Sequence, residues 1–145
     1  MKLIFSFLFF ASTFVAYSQG KINCDKRLSE IPNQSIKIDG AFQSEEDKNN
    51  FLLYSLDNGY FIRSIDQVTS SQKTELKSID GIVSNKGEIF SAEVLSNPEL
   101  FNFYNYNFER SETKTVGYNL GNGTVLVFYS LEKMIEMYNQ TTINK

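Results

Sequence analysis

The densest group of side chains with recognition chemistry lies at residues 101–108, where five aromatic rings are interleaved with three asparagines. Rings offer flat apolar faces, and asparagine amides offer paired hydrogen-bond donors and acceptors. This combination suits a sugar-binding surface, so the candidate ligand-binding residues are Phe103, Tyr104, Asn105 and Tyr106. The competing and commoner interpretation is that alternate rings enter the core while the asparagines face water or hold turns. The absence of Trp weighs against the sugar-binding interpretation, because large ring faces are the main asset of such surfaces.

Carboxylates are the only abundant acid–base groups. The chain has no His, so Ser-His-Asp and Cys-His catalysis are excluded within one chain, and the commonest zinc and haem ligand is missing. A glycosidase needs two carboxylates held about 5 to 10 Å apart across a cleft. Glu88, Glu93, Glu109 and Glu112 lie in the region of predicted strands, but their spacing assigns no pair. We therefore predict no catalytic residue, no metal ligand and no cofactor.

The charge balance excludes one class of partner. The 145 residues include 14 Lys and Arg against 17 Asp and Glu, a formal charge of −3. A nucleic-acid interface needs basic residues clustered on one face. Glu99, Glu109 and Glu112 surround the aromatic segment and disfavour stacked single-stranded nucleic acid there. We expect no nucleic-acid partner.

The first eighteen residues have the layout of a secretory signal peptide. Lys2 precedes an apolar run at residues 3–10, and Ala16, Tyr17 and Ser18 supply a small-x-small cleavage site. The alternative is a buried N-terminal strand or helix. The signal pattern predicts an exported protein, periplasmic or extracellular, and it resembles the signals of exported bacterial proteins. Its removal takes away one lysine, so the mature charge is 13 minus 17, or −4.

The single cysteine, Cys24, excludes an intramolecular disulfide. It lies in a polar lead-in at residues 19–34, and the residues before it do not form the small-residue box of a lipoprotein, so no lipid anchor is predicted. No later apolar stretch is long enough to span a bilayer. We interpret Cys24 as an incidental thiol near a flexible end; the alternative is a disulfide-linked dimer through Cys24.

Residues 35–140 are predicted to form one α+β domain, followed by a frayed tail at 141–145. A first helix, about 45–57, begins at the N-cap Ser44 and stops at Asn58 and Gly59, which tolerate the left-handed conformation. A second helix, about 131–139, begins after Ser130 and has one apolar stripe.

The other elements are predicted to be strands and turns. Apolar patterns mark strands at 35–39, 60–65, 74–84, 88–95, 113–120 and 124–129, and residues 101–108 also favour a strand. Turns are expected at 85–87 and 121–123, a bulge at Gly81, and a loop at 66–73. The resulting fold is an antiparallel or mixed sheet of five to six strands with both helices packed on it.

These features predict a small exported, non-catalytic domain that binds a protein or a glycan. It would act as an inhibitor, an immunity-type partner or an envelope accessory factor. The tyrosines in the predicted strands support this interpretation, because Tyr is enriched at recognition surfaces. Enzymatic activity stays open, since a carboxylate-based hydrolase of an envelope polysaccharide is one alternative. A structural or assembly subunit is another.

Overall fold

The computed structural model describes residues 26–32, 40–70 and 73–144. The predicted signal peptide, Cys24 and the predicted strand at 35–39 lie outside the described residues. The described part is an α+β fold with one mixed sheet, which confirms the predicted class. Four strands are present there instead of the expected five to six. No helix in this part is long and apolar enough to cross a membrane.

The elements follow one another along the chain in a simple order. Their bounds are α1 Glu45–Asn58, β1 Tyr60–Ser64, α2 Ile65–Ser70, β2 Thr74–Ser78, two 3₁₀ helices at Ala92–Ser96 and Phe103–Asn105, β3 Thr115–Asn119, β4 Thr124–Phe128 and α3 Leu131–Ile143. Residues 26–29 are also helical.

The sheet has the strand order β1-β4-β3-β2. Strand β4 pairs antiparallel with β1 and with β3, so that Phe128 lies opposite both Tyr60 and Val116. Strand β2 pairs parallel with β3. Strands β1 and β2 therefore run in the same direction at opposite edges of the sheet. Helix α2 lies in the connection between them, and its buried Val68 packs against Val125 and Val127.

The main core lies on the other face of the sheet, beneath α1 and α3. Leu126 and Phe128 of β4 pack there with Phe51 of α1 and Met134 of α3. Successive side chains of β4 point alternately into this core and towards α2, which explains why β4 is apolar on both sides.

Both predicted helices are confirmed, and their N-terminal caps are those expected. The hydroxyl of Ser44 accepts a hydrogen bond from the Asp47 N–H, and that of Ser130 accepts one from the Lys133 N–H. Helix α3 continues to Ile143, beyond the predicted end near residue 139.

Gly59 ends α1 for a different reason from the one predicted. Its φ is −77°, so the left-handed conformation is not used. A Cβ at this position would clash with the Ser55 carbonyl oxygen and lie 2.8 Å from the Met134 Sδ. Gly59 is therefore required mainly by the end of α1 itself, where the Ser55 carbonyl leaves no room for a Cβ, and secondly by the Met134 side chain of α3.

The predicted loop at 66–73 is wrong in its first half. Residues up to Ser70 belong to α2, where the Thr69 hydroxyl donates to the Ile65 carbonyl at 3.0 Å. Burial of Val68 against the sheet stabilises this short helix, a tertiary contact that the local polar sequence does not reveal.

Of the predicted hairpin of 74–84 and 88–95, only the turn is confirmed, and the two long strands are wrong. Gly87 has φ +82° and its N–H donates to the Ser84 carbonyl, as the turn requires. Only the isolated bridge between Val83 and Ile89 flanks it, because β2 ends at Ser78 and residues after 91 form a 3₁₀ helix. Gly81, with φ +83°, lies in a turn rather than a bulge.

Candidate functional site

The aromatic segment 101–108 lies in the main core and contains a 3₁₀ turn instead of a strand. Four of its five rings are buried: Phe101, Phe103, Tyr104 and Phe108. The Phe108 ring centroid lies 4.9 Å from that of Tyr118 and 5.1 Å from that of Phe128. The segment therefore supplies the layer of rings between the sheet and the helices.

Phe103 and Tyr104 are enclosed from several sides. Their ring centroids are 4.5 Å apart, and the Arg110 guanidinium lies 4.8 Å from the first and 4.4 Å from the second. The Ser55 hydroxyl donates to the Leu52 carbonyl at 2.7 Å, so the Tyr104 hydroxyl, 2.7 Å from Ser55 Oγ, is the donor of that second bond. Both the faces of these rings and the phenol are therefore used within the fold.

Two asparagines of the segment hold the main chain. Asn102 Oδ1 accepts from the Tyr104 N–H at 3.1 Å, and its Nδ2 donates to the Arg27 carbonyl at 3.3 Å. Asn107 Oδ1 accepts from the Val83 N–H at 2.7 Å. These amides connect the segment to distant parts of the chain, which accounts for their alternation with the rings.

Asn105 and Tyr106 are the two candidate residues that keep partial exposure. The Asn105 carbonyl accepts from the Asn85 N–H at 2.7 Å, and Tyr106 forms a bridge with Ser84. Burial, and next the negative charge of Glu88, raise the pKa of the Tyr106 phenol. Ligand binding by Phe103, Tyr104, Asn105 and Tyr106 stays a prediction, with solvent access concentrated at the last two.

The carboxylates named as possible hydrolase groups are all exposed. Glu109 accepts from the Lys77 Nζ at 2.7 Å, and Lys77 also lies 3.1 Å from Glu75. This hydrogen bond lowers the pKa of Glu109, the opposite direction from that needed by a general acid. Throughout residues 26–32, 40–70 and 73–144, no group of three or more His, Cys, Asp or Glu is placed to hold a metal ion.

The open edge of β1 is a feature that sequence reasoning missed. The Tyr129 N–H donates to the Gly59 carbonyl at 3.0 Å, and this bond shows which residues of β1 direct their main-chain groups towards β4. Since alternate residues of an antiparallel strand bond to the partner, the main-chain groups of Tyr60 and Ile62 point away from β4. No strand in the described part of the chain pairs with them. The alternating pattern predicts the strand, but its edge position follows only from the topology.

An aromatic–arginine cluster lies beside this edge, on the α2 face of the sheet. The Phe61 ring centroid is 4.9 Å from that of Tyr129, and the Arg63 guanidinium lies 5.0 Å over the Phe61 ring. On the opposite face, Ile62 is 46% exposed. We call Tyr60–Ser64 together with Tyr129 the β1 edge patch.

A cleft lies at the other side of the sheet, where the parallel strands β2 and β3 end. Its volume is about 430 Å³, and it is lined by residues 76–80, Asn119 and Gly121. These are ordinary loop and strand-end residues, separated by some forty positions in the chain. Only the pairing of β2 with β3 brings them together, so the sequence contains no local signal for the cleft.

Comparison with known proteins adds no family to these observations. No protein-family model, no curated protein and no solved structure matches the chain. Two surface features, the β1 edge patch and the cleft, are therefore the basis for inferring function.

Proposed function

We propose that this chain is a small exported, non-catalytic domain that binds a protein partner at the β1 edge patch. Export is inferred from the signal-peptide pattern of residues 1–18. The observation that carries the binding proposal is the outer edge of β1, which no strand in the described part of the chain covers and where the main-chain groups of Tyr60 and Ile62 are directed outward. An extended peptide that adds to such an edge gains affinity from main-chain hydrogen bonds and specificity from alternate side chains.

The side chains at the two edges of the sheet favour β1 over β2. Strand β2 carries Glu75 and Lys77 in an ion pair, and charged residues at an edge oppose pairing with another chain. On β1, Tyr60, Ile62 and Ser64 are uncharged, and the only charge, Arg63, lies over the Phe61 ring. Aromatic residues and Arg are enriched at the centres of protein interfaces, which matches this composition.

Ile62→Pro is the variant that tests the edge directly. Proline removes the outward N–H of residue 62 without removing any bond to β4, and edge strands tolerate proline when its position faces solvent. Ile62→Thr is the matched control, because it shortens the side chain but keeps the main-chain donor. Both are made in the mature chain, residues 19–145, which is immobilised and exposed to envelope and medium proteins of the producing cell.

We expect a protein captured by the wild type and by Ile62→Thr to be lost with Ile62→Pro, while all three chains melt within a few degrees of one another. Equal capture by Ile62→Pro would overturn the proposal. A large drop in the Tm of Ile62→Pro would also contradict it, because the residue 62 N–H would then be bonded within the chain. A defined oligomer in light scattering that Ile62→Pro dissociates would favour the assembly-subunit alternative.

A further inference from the structure

We propose that the cleft at the ends of β2 and β3 is a second binding site, and that it takes a neutral sugar through a pair of neighbouring hydroxyl groups. The cleft and the β1 edge patch are on opposite sides of the sheet, so the two proposals are independent. A volume of about 430 Å³ is within the range of small-ligand sites. Ligands of open sheets commonly bind outside the carboxyl ends of parallel strands, which is where this cleft lies.

Local hydrogen bonds orient the polar side chains of the cleft. Asn119 Oδ1 accepts from the Gly121 N–H at 2.9 Å, which leaves the Nδ2 amino group to donate. Ser78 Oγ donates to Asp80 Oδ2 at 2.8 Å and accepts from the Asp80 N–H at 3.1 Å, which leaves Asp80 Oδ1 to accept. Internal bonds of this kind reduce the entropy lost when a ligand is bound.

An amide donor and a carboxylate acceptor, each oriented by a local hydrogen bond, suit a ligand with several hydroxyl groups. Each sugar hydroxyl both donates and accepts, so one can bond to Asp80 Oδ1 while its neighbour accepts from Asn119 Nδ2. Leu76, 41% exposed, and Ile79 add apolar surface for the C–H face of a sugar ring. Because none of the described residues that line the cleft has an aromatic ring, we expect millimolar dissociation constants.

The charges around the cleft favour a neutral ligand over an anionic one. The Lys77 ammonium is 2.7 Å from Glu109 and 3.1 Å from Glu75, so it is already compensated. Among the seven residues that line the cleft, this leaves the Asp80 carboxylate as the one charge without an opposite partner charge. A carboxylated or phosphorylated sugar would therefore be repelled.

The test is a titration of the ¹⁵N-labelled mature chain, residues 19–145, with the methyl glycosides of glucose, mannose and galactose. We expect saturable shifts of the amide signals of Ser78, Asp80, Asn119 and Gly121 with at least one of them. Asp80→Asn and Asn119→Ala should each weaken binding about tenfold, the usual effect of losing one hydrogen bond that involves a charged or well-oriented group. Asp66→Ala and Asn139→Ala, at exposed positions of other elements, are the matched controls.

Three results would overturn the inference. The first is the absence of shifts at these amides with all three glycosides. The second is tighter binding of glucuronate or glucosamine than of methyl glucoside, which would show that charge and not the hydroxyl pair is recognised. The third is an equal loss of binding in the control variants. Ile62→Pro should bind sugar like the wild type, so a failure at the β1 edge patch and a failure at the cleft are distinguished.

Discussion

Phe103→Ala tests whether the aromatic segment is part of the core or a surface for ligands. The Phe103 ring is 1% exposed, and its centroid lies 4.5 Å from that of Tyr104, 5.3 Å from Phe128 and 6.1 Å from Tyr60. Truncation to alanine removes these ring contacts and leaves a cavity beneath α1. Replacement of a buried Phe by Ala costs about 3–5 kcal/mol in the free energy of unfolding.

The upper part of that range applies here. The ring is enclosed on the core side by other rings and on the outer side by the Arg110 guanidinium, 4.8 Å from its centroid. Loss of that cation–π contact adds about 1 kcal/mol. We therefore expect about 4–5 kcal/mol, a large share of the roughly 5–15 kcal/mol that stabilises a domain. At about 4 °C per kcal/mol for a domain of this size, the Tm should fall by about 15–20 °C.

Thermal and urea unfolding followed by circular dichroism measure this change. Tyr106→Ala is the control within the same segment, because Tyr106 is only half-buried, and its Tm should fall clearly less. A Phe103→Ala chain that melts within about 3 °C of the wild type would refute the assignment of the ring to the core. If that variant also lost the binding of a ligand, the segment would be a recognition surface as first considered.

Two further changes probe the C-terminal end of α1 and the contacts of α1 with α3. Gly59→Ala should lower the free energy of unfolding by about 1–3 kcal/mol or more, because a Cβ would meet the Ser55 carbonyl and the Met134 sulfur; an unchanged urea midpoint would show that α1 ends without this constraint. Burial, followed by the hydrogen bond to Asp47, raises the pKa of Tyr138 to about 12 from 10.0, so this phenol stabilises the fold below pH 10 and the contribution is lost as the pH rises towards 12. Ultraviolet titration should show a tyrosine that titrates near pH 12 and that Tyr138→Phe removes, and a wild-type curve without it would contradict the assigned contact.

The two long helices, α1 and α3, and the turn at Gly87 were predictable because their determinants are local, whereas the short helix α2 was not. Ser44 and Ser130 each bond to an N–H three residues ahead, and Gly87 supplies the positive φ of its own turn. Such signals act between residues a few positions apart, so the local sequence is enough to place a helix start or a turn. These signals predicted the type and the first residue of both long helices correctly, but the predicted end of α3 lay several residues before Ile143.

The sites were not predictable because they depend on contacts between distant residues. Tyr104 lies in the core, where its hydroxyl bonds to Ser55 of α1 and its ring packs against Phe103 and Arg110. Strand β1 lies at an edge of the described sheet because β4, and not a neighbouring hairpin strand, is its partner. Strand order therefore decides which alternating strand offers its edge, and composition at 101–108 cannot distinguish a buried ring layer from an exposed one.

The strand order also determines when the sheet can form during synthesis. Strand β1 pairs with β4 and β2 pairs with β3. Tyr60 can therefore pair only after Phe128 has been synthesised, and Thr74 only after Thr115 has been synthesised. Pairings between residues so far apart in sequence form slowly. Until residues 115–128 have emerged, neither early strand has its partner, and the nascent chain holds none of the four-stranded sheet. A chain with the proposed export signal would thus enter a translocation channel at its N-terminus before it has a sheet that must be unfolded.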